Sequence, residues 1–155
     1  MHKYAFSNWI GWKDRTTLDN LSYPGVYAIA ISCADLAGLP FSWRQVVYIG
    51  MTNAKGGLKS RLQQFDNTIM GREGHGGGCR VRFKHRDYSK LTKELYVSVC
   101  PQKCNVKSNT PSDLRLMGEV AKFEYECLAF FAEEFCRLPE FNDKQKSPKL
   151  RNPTK

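Results

Sequence analysis

The sequence predicts a small domain of the α/β (α+β) class, on three observations. Two short apolar runs rich in β-branched residues, at 25–32 and 46–49, have the character of buried strands. At 58–65, Leu58, Leu62 and Phe65 fall on one helical face at the i, i+4, i+7 spacing. A longer helical pattern begins at Pro111 and runs to about Arg137. A length of 155 residues suits one domain with a core of its own.

Taken in order, residues 1–22 form a polar and aromatic lead-in whose Trp9 and Trp12 are expected to pack on the domain. The first strand opens at Pro24-Gly25 and carries Val26, Ile29 and Ile31. Residues 34–45, with Gly38-Leu39-Pro40, are an insertion before the second strand, Val46-Val47-Tyr48-Ile49. The two strands are expected to make an antiparallel hairpin with a long connection. After the first helix, residues 71–78 are expected to be a flexible loop centred on Gly74-His75-Gly76-Gly77-Gly78. Residues 80–83 and 95–100 read as strands, with basic residues between them. At Pro111-Ser112-Asp113 a serine or aspartate can cap the free amides of the long helix, which ends before Pro139. The domain is thus bounded at 23–142. The tail, 143–155, holds Lys144, Lys146, Lys149, Arg151 and Lys155 and is expected to be disordered.

A formal net charge of +9 and a pI near 9.3 point to a polyanionic partner, nucleic acid ahead of an anionic membrane surface. No run approaches the ~20 apolar residues that span a bilayer. The amino terminus lacks an apolar signal core, so a cytoplasmic protein is expected. Six cysteines in a chain of this length do not make a disulfide framework. Cys100 and Cys104 form a C-x-x-x-C pair with no second pair nearby, which gives little support to zinc.

Candidate site residues follow from charge placed where charge is costly. Arg61 opens a basic helix just after Tyr48-Ile49-Gly50, where its fork of donors suits a phosphate. Lys55 and Lys59 read at most as backbone-phosphate contacts. On the long helix an apolar stripe passes through Met117, Val120, Ala121, Cys127, Leu128, Phe131, Phe135 and Leu138. Glu124 lies inside it, where a carboxylate needs a partner or a metal. Glu126 sits on the polar side and is the alternative; Glu119 is third. Tyr27 and Tyr48 are expected to face each other across the hairpin. Free tyrosine ionises near ~10, so a base role needs a nearby cation. Arg72 and His75 belong to the glycine-rich loop. Arg80, Arg82 and Lys84 share one face of the expected strand and, with His85 and Arg86, suggest a stripe for a nucleic-acid backbone.

The order Gly25-Val26-Tyr27, then Tyr48-Ile49-Gly50, then Leu58-Lys59-Ser60-Arg61-Leu62 resembles the core of the GIY-YIG endonuclease family, over residues 23–142. The resemblance implies a small central antiparallel sheet flanked by helices. It implies a DNA endonuclease that uses one divalent cation, Mg²⁺ or Mn²⁺, held by a glutamate. Position by position, Tyr27 and Tyr48 match the two motif tyrosines, Arg61 the family arginine and Glu124 the metal-binding glutamate. Asn142, in Pro139-Glu140-Phe141-Asn142, matches the closing P-x-x-N. Tyrosine and metal would activate water, and arginine would support the phosphate. Valine replaces isoleucine in the first motif, and the longer segment between the motifs resembles the restriction-enzyme branch. The helix from Glu124 to Pro139 is longer than in the repair-nuclease members, so Glu126 stays open as the ligand. Phe65 stands where some members place a histidine, which His75 or His85 would then supply. Dimerisation would help a restriction-type enzyme cut both strands. The alternatives are a catalytically idle nucleic-acid-binding module on the same fold, and an interaction protein with an acidic partner.

Overall fold

The computed structural model describes residues 5–149. Four antiparallel strands, β1 (Ile10–Gly11), β2 (Gly25–Ile31), β3 (Val46–Thr52) and β4 (Leu95–Pro101), form one sheet in the order β1-β4-β2-β3. Helices α1 (Gly57–Met70), α2 (Gly76–Lys84) and α3 (Tyr88–Glu94) follow β3 in sequence, and α4 (Pro111–Phe135) follows β4. No helix among the described residues is long and apolar enough to cross a membrane.

The sheet is buried on both faces, which is why its strands read as nearly continuous apolar runs. Side chains alternate along β2. Tyr27 and Ile29 join Leu58, Leu62, Phe65, Ile69, Val81 and Leu91 of α1–α3 in one core cluster. Val26, Ala28 and Ala30 join Val120, Phe123, Cys127 and Phe131 of α4 in the other. The expected hairpin of β2 and β3 is present, with β4 on the far side of β2. The lead-in is part of the domain: β1 pairs with β4, and Trp9 and Trp12 are both buried.

Two expectations fail for reasons of packing. Residues 80–83 are not a strand. Arg80-Val81-Arg82-Phe83-Lys84 alternates like one, but it forms the second half of α2, whose buried positions are Gly77, Gly78, Arg80 and Val81. That is helical spacing, and tertiary contact overrides the low propensity of three glycines. Arg80, Arg82 and Lys84 therefore do not share a strand face. The loop is shorter than expected and ends where His75 caps α2 by accepting the Gly78 amide. On α4 the cap is Thr110, which accepts the Asp113 amide, with Pro111 in the first turn. Asp113 is not the cap. Phe123 lies in the buried stripe of α4, and Glu124 is half-buried beside it.

The exposed edge of β3 is covered by the chain after α4. Phe141 donates its amide to the Val47 carbonyl at 2.9 Å. The Asn142 side chain accepts from the Ile49 amide and donates to the Ile49 carbonyl, both at 2.8 Å. One side-chain amide thus does the work of a paired strand residue. Of the expected disordered tail, residues 143–149 are described: Ser147 is buried and donates its amide to the Asp143 carbonyl. The remaining tail, including Arg151 and Lys155, lies outside the described residues.

Asp66, buried on α1, ties the lead-in to two helices. It accepts from the Trp12 indole at 2.7 Å and the Tyr88 hydroxyl at 3.0 Å, and pairs with Arg15 at 3.3 Å. Asp66→Ala leaves three buried or half-buried donors without their acceptor and should cost about 3 kcal/mol in urea unfolding, Asp66→Asn less. A loss below ~1 kcal/mol for the alanine variant would show that Asp66 does not hold these elements together.

Candidate active site

Tyr27 pairs with Gly50, and Tyr48 with Ile29, so the tyrosines are diagonal neighbours on the face covered by α1 and α2. Their ring centroids are 6.1 Å apart. Both rings need glycines opposite them. A Cβ on Gly50 would lie 2.5 Å from the Tyr27 hydroxyl, and one on Gly77 would lie 2.4 Å from the Tyr48 ring. The glycine run of 76–78 is therefore a packing surface: Gly77 leaves its space to the Tyr48 ring, and Gly78 lies against Thr68.

Helix α1 brings Arg61 to the same place. Its charge acts on Tyr27, Tyr48, His75 and Glu124, which come from β2, β3, the α2 cap and α4. One guanidinium nitrogen donates to Gln64 at 3.0 Å, while the buried Nε has no hydrogen-bond partner. Helix α4 packs on the sheet face opposite α1 but against β3, the last strand of the sheet. From there Glu124 is felt by both Tyr48 and Arg61. Burial pushes the Glu124 carboxyl above the ordinary carboxylate value, and Arg61 and Lys144 pull it down. No hydrogen bond or ion pair holds Glu124 among the described residues. Glu126 is exposed and paired with Lys122 one turn away.

His75 is the largest revision of the sequence reading. It is not an exposed contact for a nucleic acid but 1% exposed, with both ring nitrogens engaged. Nε2 lies 2.6 Å from the Tyr27 hydroxyl, and Nδ1 accepts the Gly78 amide at 3.1 Å. The ring stands edge-on to Phe65, centroids 5.1 Å apart, so a histidine reaches this site from α2 and packs on the phenylalanine of α1. Burial and then Arg61 lower its pKa to about 3, so the imidazole is neutral. An amide N–H can only donate, so Nδ1 carries no proton. The proton is on Nε2, which donates to Tyr27. The Tyr27 hydroxyl hydrogen is left free to point elsewhere.

The two tyrosines differ. Burial, then Tyr48, hold the wholly buried Tyr27 well above the ordinary tyrosine value, against the pull of Arg61. Burial also raises Tyr48, but Arg61, the Tyr27 hydroxyl and Arg80 pull it down, with Glu124 opposing them. Tyr48 is the easier of the two to ionise.

Of the other cations named from the sequence, Arg80 acts on Tyr48 and His75 and Lys144 on Glu124, and the rest do not act on the tyrosines, His75 or Glu124. Lys55, Lys59, Arg72 and Arg86 are exposed, and Arg86 stacks on Phe83. Arg82 lies over Gly71, Lys84 pairs with Glu140, and the His85 ring meets Phe141. Asn142 is spent on the backbone of Ile49, where it positions the strand that carries Tyr48. Of the two histidines offered in place of one at Phe65, His75 is the one that reaches the tyrosines; sequence reasoning missed that Arg80 belongs with them too, and the one available signal was three glycines, which leave room for a neighbour to pack. All six cysteines are free, and no group of three His, Cys, Asp or Glu side chains placed to hold a metal occurs among the described residues. Compared with protein-family models, with curated proteins and with solved structures, the chain matches none of them.

Burial of neutral His75 makes a pH test available. In the unfolded chain it takes a proton near 6.5, in the fold only near 3. Between those values the unfolded state binds the extra proton, so stability falls as pH drops from 6.5 toward 3. His75→Asn keeps an acceptor for Gly78 and removes this part of the acid sensitivity. Urea midpoints at pH 7 and pH 4.5 should show wild type losing more than the variant; equal losses would mean His75 is not held neutral.

Proposed function

We propose that this chain is a metal-dependent DNA endonuclease of the GIY-YIG type. The observation that carries the reading is the convergence of Tyr27, Tyr48, Arg61 and Glu124 from four elements, with Arg61 acting on the other three. Phosphodiester hydrolysis needs a base for the attacking water and positive charge at the phosphate. Tyr48 is the base, because it is the tyrosine more easily ionised. His75 donates to Tyr27, and Tyr27 turns its own hydroxyl toward Tyr48, so that a tyrosinate there is met by a donor. Arg61 grips the phosphate through the donors it does not use on Gln64.

Glu124 suits a divalent cation. It is a half-buried carboxylate with no hydrogen bond or ion pair among the described residues, and Mg²⁺ commonly keeps most of its waters and takes only one or two protein carboxylates. When bound, the cation supplies Lewis-acid charge at the phosphate and lowers the pKa of water. A cytoplasmic setting and a homodimer that cuts both strands belong to the same reading. An idle nucleic-acid-binding module is the second reading, favoured by the raised pKa of both tyrosines, which keeps them protonated at neutral pH without a cation.

Cleavage of supercoiled plasmid in Mg²⁺ or Mn²⁺ tests this. Wild type should cut, and EDTA should stop it. Arg61→Ala and Glu124→Ala should each lose at least ~100-fold, Glu126→Ala little, and Tyr48→Phe more than Tyr27→Phe. Cutting by Glu124→Ala but not Glu126→Ala would move the ligand. Salt-sensitive binding with no cutting would favour the idle module.

A related expectation concerns pH. With His75 neutral, cleavage should climb with pH through neutrality and show no histidine step between pH 5 and 8. A step near 6.5 that persists in Tyr48→Phe would assign the base elsewhere.

A further inference from the structure

Arg80 is 8% exposed, its Nε is buried without a hydrogen-bond partner, and it forms no ion pair among the described residues. A buried guanidinium is ordinarily paired, because desolvating an unpaired charge is costly. Arg80 lines a cleft of about 490 Å³ between α2, the start of β3 and the chain after α4, together with Arg44, Lys84, Arg137 and Lys146. Neither carboxylate of that cleft is paired with Arg80. Glu140 is paired with Lys84, and Asp143 accepts the amides of Gln145 and Lys146. A Cβ on Gly76 would lie 3.5 Å from the Arg80 Nη1 and 3.4 Å from the Lys149 amine, so two cations border the same glycine. Arg80 also acts on Tyr48 and His75, as Arg61 does, but from a different helix.

We propose that Arg80, with Lys149 beside it, seats a second phosphodiester of the nucleic-acid strand whose scissile phosphate is held at Arg61. The proposal rests on the nuclease reading and adds a binding site to it. One small anion would need one or two of these cations. Arg44, Arg80, Arg137 and Lys146, the cations of the cleft with no carboxylate partner among the described residues, suit a strand that continues past the tyrosines.

The fold predicts opposite effects of one substitution. Arg80→Met keeps the aliphatic stem and removes the unpaired charge, so the free protein should melt at a higher temperature. The same variant should bind a fluorescent oligonucleotide, measured in EDTA, about tenfold to a hundredfold more weakly. Its plot of log affinity against log salt should be shallower by about one. Single methylphosphonates walked along the strand should weaken wild type at one position flanking the cut, and should leave Arg80→Met unchanged there. A variant that melts lower and binds as wild type does would make Arg80 a structural residue and overturn the proposal. A flat methylphosphonate profile, with inorganic phosphate raising the melting temperature of wild type only, would assign the seat to a free anion and overturn it as well. Binding is read without metal, so wild type that binds but never cuts removes the nuclease activity and leaves the seat to stand or fall on its own profile.

Discussion

The site depends on the register in which β2 meets β3. Tyr27 pairs with Gly50, and the ring of the tyrosine occupies the place a side chain on residue 50 would take. Any larger residue there would push Tyr27 off His75 and out of reach of Arg61. A slip of one residue would be worse, because it turns every side chain of β3 to the other face. Tyr48 would then lie under α4, on the side of the sheet away from α1 and α2. Register is pinned from both sides of β3: by β2, and by the Asn142 amide on the backbone of Ile49. The motif glycine and the distant asparagine serve one end, which is to hold two tyrosines on one face at a fixed offset.

That face is then filled by groups that would be costly elsewhere. A neutral histidine, two partly unpaired arginines and two phenols lie within a hydrophobic cluster that contains Leu62, Phe65 and Val81. Low dielectric makes each charge act strongly on its neighbours. It explains why Arg61 depresses His75 while also opposing the effect of burial on both tyrosines. The same burial removes the exposed stripe of cations that alternation along residues 80–84 suggests. One of those residues, Arg80, faces inward with Val81, and the others are spent at the surface.

What the sequence made legible follows from how each element is stabilised. Strands β2, β3 and β4 are buried on both faces and read as apolar runs. Helix α1 shows its spacing in Leu58, Leu62 and Phe65, and α4 shows most of its stripe. Tyr27, Tyr48, Arg61 and Glu124 were legible because three short motifs and one carboxylate in an apolar stripe are local patterns. Helix α2 was not legible. Its propensity argues against helix, its alternation argues for strand, and only contact with Tyr48 and Thr68 decides the matter. Arg80 was read as a surface residue for the same reason, and His75 as a loop contact that could supply a site histidine no more readily than His85. Asp66 escaped notice because nothing in one helix reveals that a tryptophan 54 residues before it, and a tyrosine 22 residues after it, will both point at its carboxylate.

Arg61, Arg80 and Glu124 have no ion-pair partner among the described residues. Asp66, Glu126 and Glu140 each have a basic partner, and Glu124, the carboxylate of the site, has only the distributed pull of Arg61 and Lys144. The buried polar atoms without partners include the Nε of Arg61 and of Arg80. Folding that leaves two guanidinium groups short of acceptors opposes stability, and such a feature persists where something outside the chain completes it. A lone anion would complete one arginine. A strand that presents successive phosphates would complete both, and it would bring negative charge next to Glu124, where a divalent cation then has oxygen ligands from two sources. On the nuclease reading, the unpaired arginines and the half-buried Glu124 would be parts of one arrangement, in which a polyanion and a divalent cation each complete what the other leaves open.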